Sequence, residues 1–333
     1  MNTVPLGDTG ERVSQLALGA MLMGTRTDEA ASFEMLDRYL DTGGSFIDTA
    51  NCYAWWPAPG DRGGESESLL GRWFAKRGRR DDVFLATKGS AWVERAEEVR
   101  GAPWDVVNKE FEGAGGDTLR RAVDDSLRRL GTDHIDLYYV HVDDRHTPIE
   151  ETLEALDDVV RAGKVRHIGW SNVRTWRLER VRQVAARNGW PAPVALQQQH
   201  SYLRRRAGLS HASIVDDEQL DFLRANPDVT LVAYSPILKG VYDDPERRRG
   251  HDIMLPYEGP DAEARLAVLT ELAGELGVTP NQLVIAWLLH QTDPRMVTLV
   301  GPRTPGHLDA ALPALDIKLD DETLTRLETA GAL

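Results

Sequence analysis

Eight short apolar runs punctuate this chain with a regularity that few architectures can satisfy. They read QLALGA, SFIDTA, VFLATK, IDLYYVH, VRHIGWS, VALQQ, TLVAYS and VTLVG, each nearly continuous in Val, Ile, Leu, Ala and Tyr. A strand with one wet face alternates apolar and polar residues, so unbroken runs suit parallel strands buried on both faces. Segments of helical period lie between them. Leu119, Val123, Leu127 and Leu130 keep one face, as do Ile149, Leu153, Leu156 and Val160, and Gly131 and Gly163 follow as C-terminal stops. A strand-then-helix cadence of this length predicts a closed (β/α)8 TIM barrel rather than an open sheet. Ahead of the first run, TVPLGDTGERVSQLALG holds two extended pieces around the turn GDTG. That pattern predicts an N-terminal β-hairpin plugging the bottom of the barrel.

At 333 residues the chain is longer than most single cores, but alternating barrels often reach this size. No Pro/Gly/Ser linker or change of composition interrupts the cadence, so residues 1–333 read as one barrel domain. Long loops are expected at 54–64, 90–116, 203–216 and 237–259, after the second, third, sixth and seventh strands. In such a barrel they emerge at the C-terminal face and wall a pocket there. The surface excludes some partners. With 39 basic against 53 acidic residues, net charge −14, it repels nucleic acid and acidic membranes, while a local pocket for one phosphate stays compatible with it. No segment approaches the length that spans a bilayer, the start MNTVPLGDTGERV has no apolar signal region, and a single cysteine, Cys52, leaves no intramolecular disulfide and no cysteine-cluster metal site. The chain reads as cytoplasmic, with Cys52 as a small buried filler.

Polar residues stand just past the ends of the apolar runs. Asp48 and Tyr53 follow SFI, Lys88 follows VFLAT and His141 follows LYYV. Any one of them alone is a common strand cap, whereas four on one rim form a chemically consistent set. A phenol is a poor acid near neutrality, and an ammonium such as Lys88 favours the phenolate and is expected to pull the Tyr53 pKa down. A carboxylate, Asp48, would hold the lysine in place and charged. A histidine, His141, would donate to a carbonyl oxygen and orient it towards Tyr53. The set is suited to delivering a proton to a carbonyl.

The stretches DTANCY, LATK, IDLYYVH, GKVRHIGWSN and VAYSP resemble the aldo-keto reductases, in family order across nearly the whole chain. The resemblance implies an (α/β)8 barrel reducing aldehydes or ketones with a nicotinamide cofactor, and a catalytic set falling on Asp48, Tyr53, Lys88 and His141. It implies that Ser171, Asn172 and Gln197 hold the nicotinamide carboxamide, with Asp48 adjoining, and that Tyr234, followed by Ser235 and Pro236, stacks on the ring. Those residue types suit an amide and a flat ring. Gly19 and Met21 would lie on the floor near the cofactor. The tail TLVGPRTPGHLDAAL resembles the segment that grips the adenosine ribose phosphate, bringing in Gly301, Arg303, Thr304 and His307, with the start of the following helix as an anion site. His307, Ala310 and Ala311 stand where many members carry a longer polar or basic residue, an acid and an asparagine. Arg303 favours NADPH, with NADH as the other choice. No Gly-x-Gly-x-x-Gly follows an early strand, so the Rossmann fingerprint is missing.

Trp55, Trp56, Trp92 and Trp104 fall in the expected long loops. Trp55 and Trp92, with Tyr53 and His141, are the expected substrate contacts, suiting a sugar ring or an aromatic carbonyl compound. Two other functions fit parts of the pattern. One is a metal-dependent sugar isomerase using His141, Asp143, Asp144 and His146 from HVDDRH; the expectation here is no metal. The other is a cofactor-binding regulator without turnover. The substrate itself and the oligomeric state are not legible from these residues.

Overall fold

The structure, a computed structural model, describes residues 1–331. Its strands are β1 (Thr3–Pro5), β2 (Arg12–Ser14), β3 (Leu16–Gly19), β4 (Phe46–Asp48), β5 (Phe84–Gly89), β6 (Ile135–Val140), β7 (Val165–Ser171), β8 (Ala195–Gln199), β9 (Thr230–Tyr234) and β10 (Met296–Val300). From β3 to β10 they close a barrel in sequence order, β10 pairing in parallel with both β9 and β3. All eight apolar runs are therefore barrel strands. The GDTG segment is the expected hairpin: β1 and β2 pair antiparallel. Beside it, Leu6 and Val13 join Phe46, Phe84, Leu137 and Tyr139 in the cluster that fills the barrel.

Strand parity divides the core. Ala17, Phe46, Phe84, Ala86, Leu137, Tyr139, Ala195, Val232, Val297 and Leu299 fill the lumen. Their alternates Leu18, Ile47, Leu85, Tyr138, Val140, Ile168, Trp170, Leu196 and Leu231 pack with the surrounding helices in a second, larger cluster. Period-two alternation is still present, but both of its faces are apolar. The helices bury the faces read from sequence. Gly116–Leu130 buries Leu119, Val123 and Leu130 and stops at Gly131, which is left-handed at φ 63°. Ile149–Arg161 buries Ile149, Leu153 and Leu156, each side chain contributing about 1.5–3 kcal/mol relative to exposure.

The long loops cover the C-terminal mouth. Residues 90–116 carry two single helical turns, Ala96–Val99 and Trp104–Val107, and with 54–64 they close a satellite cluster of Ala50, Cys52, Trp55, Ala91, Val93, Ala96, Val99 and Val107. Arg100 ties the two loops together by donating to the carbonyl oxygens of Trp55 and Asp61. Among the described residues no helix is long and apolar enough to cross a membrane.

Candidate active site

The parity that sends Phe46, Ala86, Tyr139, Ala195 and Val232 into the lumen sends the residue two positions further along each strand to the rim. Those residues are Asp48, Lys88, His141, Gln197 and Tyr234, with Gly19 and Ser171 at the matching positions of β3 and β7. The register agrees, Gly19 pairing with Asp48 and Ser171 with Gln197.

Lys88 is fully buried and Asp48 is 1% exposed. Lys88 Nζ donates to Asp48 Oδ1 at 2.5 Å, to the Thr49 carbonyl at 2.6 Å and to the Tyr53 hydroxyl at 3.3 Å. Three acceptors around one nitrogen match the three donors of an ammonium. The second Asp48 oxygen accepts from Gln197 Nε2 at 2.8 Å. Burial raises the Asp48 carboxyl above the usual range, and Lys88 and Gln197 oppose that rise. Tyr53 sits at the loop edge with its ring 5.5 Å from the His141 ring and edge-on to it.

Burial, with Asp48 adding to it, holds the Tyr53 phenol well above its ordinary value. This corrects the expectation of a lowered pKa: burial of the phenol disfavours its charged form, and the Asp48 carboxylate that anchors Lys88 pushes the same way. What results is a protonated donor whose oxygen already accepts from Lys88, leaving its own hydrogen for another acceptor. Burial, and secondarily the Lys88 charge, depress His141 well below the ordinary histidine value, so its ring is neutral near pH 7.

The residues expected to hold a carboxamide and a flat ring border this group. Ser171 and Gln197 are almost wholly buried. Asn172 is left-handed at φ 53°, a conformation that Asn tolerates better than most residues. Its amide donates to the His141 carbonyl and the Ser171 hydroxyl, and its oxygen accepts from Tyr234. Asn172 thus braces the rim internally, and Gln197 splits its duty with Asp48. Ser235 follows in a left-handed turn at φ 54°, Pro236 is buried, and Met21 is 39% exposed beside β3. Further out, Gly301, Arg303, Thr304 and His307 are all exposed. Thr304 caps the seven-residue helix Pro305–Ala311, accepting from His307 N, and the Arg303 carbonyl accepts from Thr27. Amides and a hydroxyl beside a tyrosine ring, with an exposed guanidinium beyond, form a donor set that fits a nicotinamide dinucleotide.

The tryptophans separate into two roles. Trp55 is 4% exposed inside the satellite cluster, and the Trp92 ring is covered by the Arg129 guanidinium at 5.4 Å. Trp55 packs its loop, which corrects its expected place against substrate, while Trp92 stays partly exposed. Trp56 is a partly exposed ring beside Tyr53, with centroids 6.3 Å apart, and Trp104 is 66% exposed in the 90–116 loop, edge-on to Phe111. The HVDDRH cluster is committed elsewhere: Asp143 pairs with Arg177 and Arg145, and Asp144 accepts from Thr147 and from the backbone of Ala114 and His146. Among the described residues no group of three His, Cys, Asp or Glu is placed to hold a metal. Sequence reasoning missed the Thr49 carbonyl on Lys88 and the half-buried Glu112, which accepts from Asn51 and from the Ser90 backbone. A backbone acceptor leaves no residue-type signal, and Glu112 lies in a loop where nothing in the sequence marks it as an acceptor for its neighbours.

Comparison with known proteins places the chain in a family. A sequence model of the Aldo/keto reductase family matches residues 15–332. An uncharacterized oxidoreductase of Bacillus subtilis is 36% identical, covering 97% of this chain and 93% of that protein. A norsolorinic acid reductase of Emericella nidulans is 33% identical over 96% of this chain and 78% of its own length. An aryl-alcohol dehydrogenase of Pestalotiopsis microspora is 29% identical over 95% and 78%. Among solved structures, a thermostable aldo-keto reductase crystallised with the inhibitor epalrestat superposes with a TM-score of 0.71, at 28% identity over 99% of both chains.

Proposed function

The chain belongs to the aldo/keto reductase family and is an oxidoreductase of carbonyl groups; from that premise we propose that it reduces an aldehyde or ketone to the alcohol with NADPH, Tyr53 giving the proton. The observation that carries this is the meeting of Tyr53, Lys88, Asp48 and His141 within one hydrogen-bonded rim. When bound, the reduced nicotinamide supplies the hydride to the carbonyl carbon. Ser171 and Gln197 would hold its carboxamide, Tyr234 would face its ring and Arg303 would meet the adenosine ribose phosphate, the charge match that favours NADPH.

Each side chain then has a defined task. Neutral His141 donates to the substrate oxygen and fixes its position. Tyr53 hands its proton to that oxygen as negative charge develops there. Lys88, already donating to the phenol oxygen, stabilises the phenolate that remains, and Asp48 keeps Lys88 in register. Trp56 offers an aromatic face next to Tyr53, and one relative is named an aryl-alcohol dehydrogenase. We therefore place aromatic carbonyls first among substrates.

The test is consumption of NADPH and of NADH against a panel of aromatic, sugar and aliphatic carbonyls. Oxidation of NADPH in preference to NADH, fastest with aromatic members, is the expected result. Tight NADPH binding with no oxidation against any carbonyl would instead support a regulator without turnover.

A further inference from the structure

Cys52 immediately precedes Tyr53 and is 4% exposed. Its Sγ lies 3.5 Å from His141 Nδ1, and among the described residues no other hydrogen bond reaches that ring. Burial pushes the thiol up to about 12, so it carries its proton at neutral pH. Two neutral groups thus face each other with two possible directions of donation. Imidazole nitrogen is a good acceptor and thiol sulfur a weak one, so S–H to Nδ1 is the better pairing. The partner on one ring nitrogen sets which nitrogen holds the proton.

We propose that Cys52 is a positioning residue, whose thiol donates to His141 Nδ1 and thereby keeps the ring proton on Nε2, the nitrogen that donates to the substrate oxygen. This rests on the donor role given to His141 above. If the ring carried its proton on Nδ1 instead, Nε2 would be an acceptor facing a carbonyl oxygen and would offer it nothing. Cys52 acts through His141 and touches no reacting atom.

The test is nitrogen NMR of ¹⁵N-histidine-labelled full-length protein, with the His141 signals among the nine histidines identified by their loss in His141→Gln. In the parent, Nδ1 should appear as an unprotonated acceptor and Nε2 as protonated. Cys52→Ala should move both nitrogens towards a mixture of tautomers and lower kcat about three- to tenfold, the scale of one weak hydrogen bond, leaving cofactor affinity unchanged. Cys52→Ser, which keeps a hydroxyl donor, should restore both readouts at least partly. Val93→Ala opens space in the same satellite cluster and should leave the His141 nitrogens where they are.

A parent ring protonated on Nδ1, His141 signals unmoved in Cys52→Ala, or signals moved equally by Val93→Ala would overturn the proposal. Failure of the catalytic reading gives a different result. There the tautomer shifts in Cys52→Ala while kcat stays at the parental value, which removes His141 from the reaction and the positioning role with it.

Discussion

Removing the Asp48 carboxylate should cost both stability and turnover, by amounts that can be worked out in advance. Lys88 Nζ is wholly buried and has only the Thr49 carbonyl and the Tyr53 hydroxyl as further acceptors. In Asp48→Ala the ammonium would be left without counter-charge, and removing one side of a buried pair costs about 3–5 kcal/mol. Gln197 Nε2 loses its acceptor as well, at about 1 kcal/mol. Urea unfolding at pH 7 should therefore show a fall of about 4–6 kcal/mol, a large part of the stability of most folded proteins. Asp48→Ala/Lys88→Met, which removes both charges, should recover at least about half of that loss yet show no turnover. A single variant as stable as the parent, or a double variant no more stable than the single, would refute this account of the rim.

Other consequences are as specific. Arg303→Ala should weaken NADPH binding about tenfold or more and NADH binding little, as measured by fluorescence titration; equal losses would place the ribose phosphate elsewhere. Trp56→Ala should raise KM for aromatic carbonyls about three- to tenfold and leave that for small aliphatic ones nearly unchanged. His200 is depressed to about 4 by burial and by the Arg265 charge, against an unfolded value near 6.5. Its contribution is complete above pH 6.5 and is lost as pH falls towards 4, up to about 3 kcal/mol. His200→Gln should flatten that part of the stability profile, and an unchanged slope would assign it to other groups.

Much of the fold was legible because a barrel of parallel strands leaves a repeated trace. Every run buried on both faces is short and apolar, and six of the eight strand ends deliver a polar residue to the same rim. Parity carries the prediction from Phe46 to Asp48 and from Ala86 to Lys88 without knowledge of tertiary structure. Less was legible where the outcome depends on the balance of several neighbours. The lowered phenol pKa expected from Lys88 ignored the burial of the phenol and, after it, the Asp48 carboxylate that the same lysine requires. Trp55 and Trp56 are adjacent in sequence and alike in chemistry, yet one packs a loop and the other faces Tyr53. Which does which follows from how the loops at 54–64 and 90–116 fold onto each other, held by Arg100 on two carbonyls. Backbone acceptors leave no pattern in side-chain types at all.

The central claim is that the Tyr53 hydroxyl, held by Lys88 and facing His141, is the proton source for a carbonyl being reduced. Tyr53→Phe removes one oxygen and keeps the ring beside Trp56 and His141. With the fastest carbonyl substrate at saturating NADPH, its steady-state kcat should fall at least about a hundredfold, while NADPH affinity, read by fluorescence titration on the same sample, stays within about twofold of the parent. Parental kcat in that variant would contradict the account.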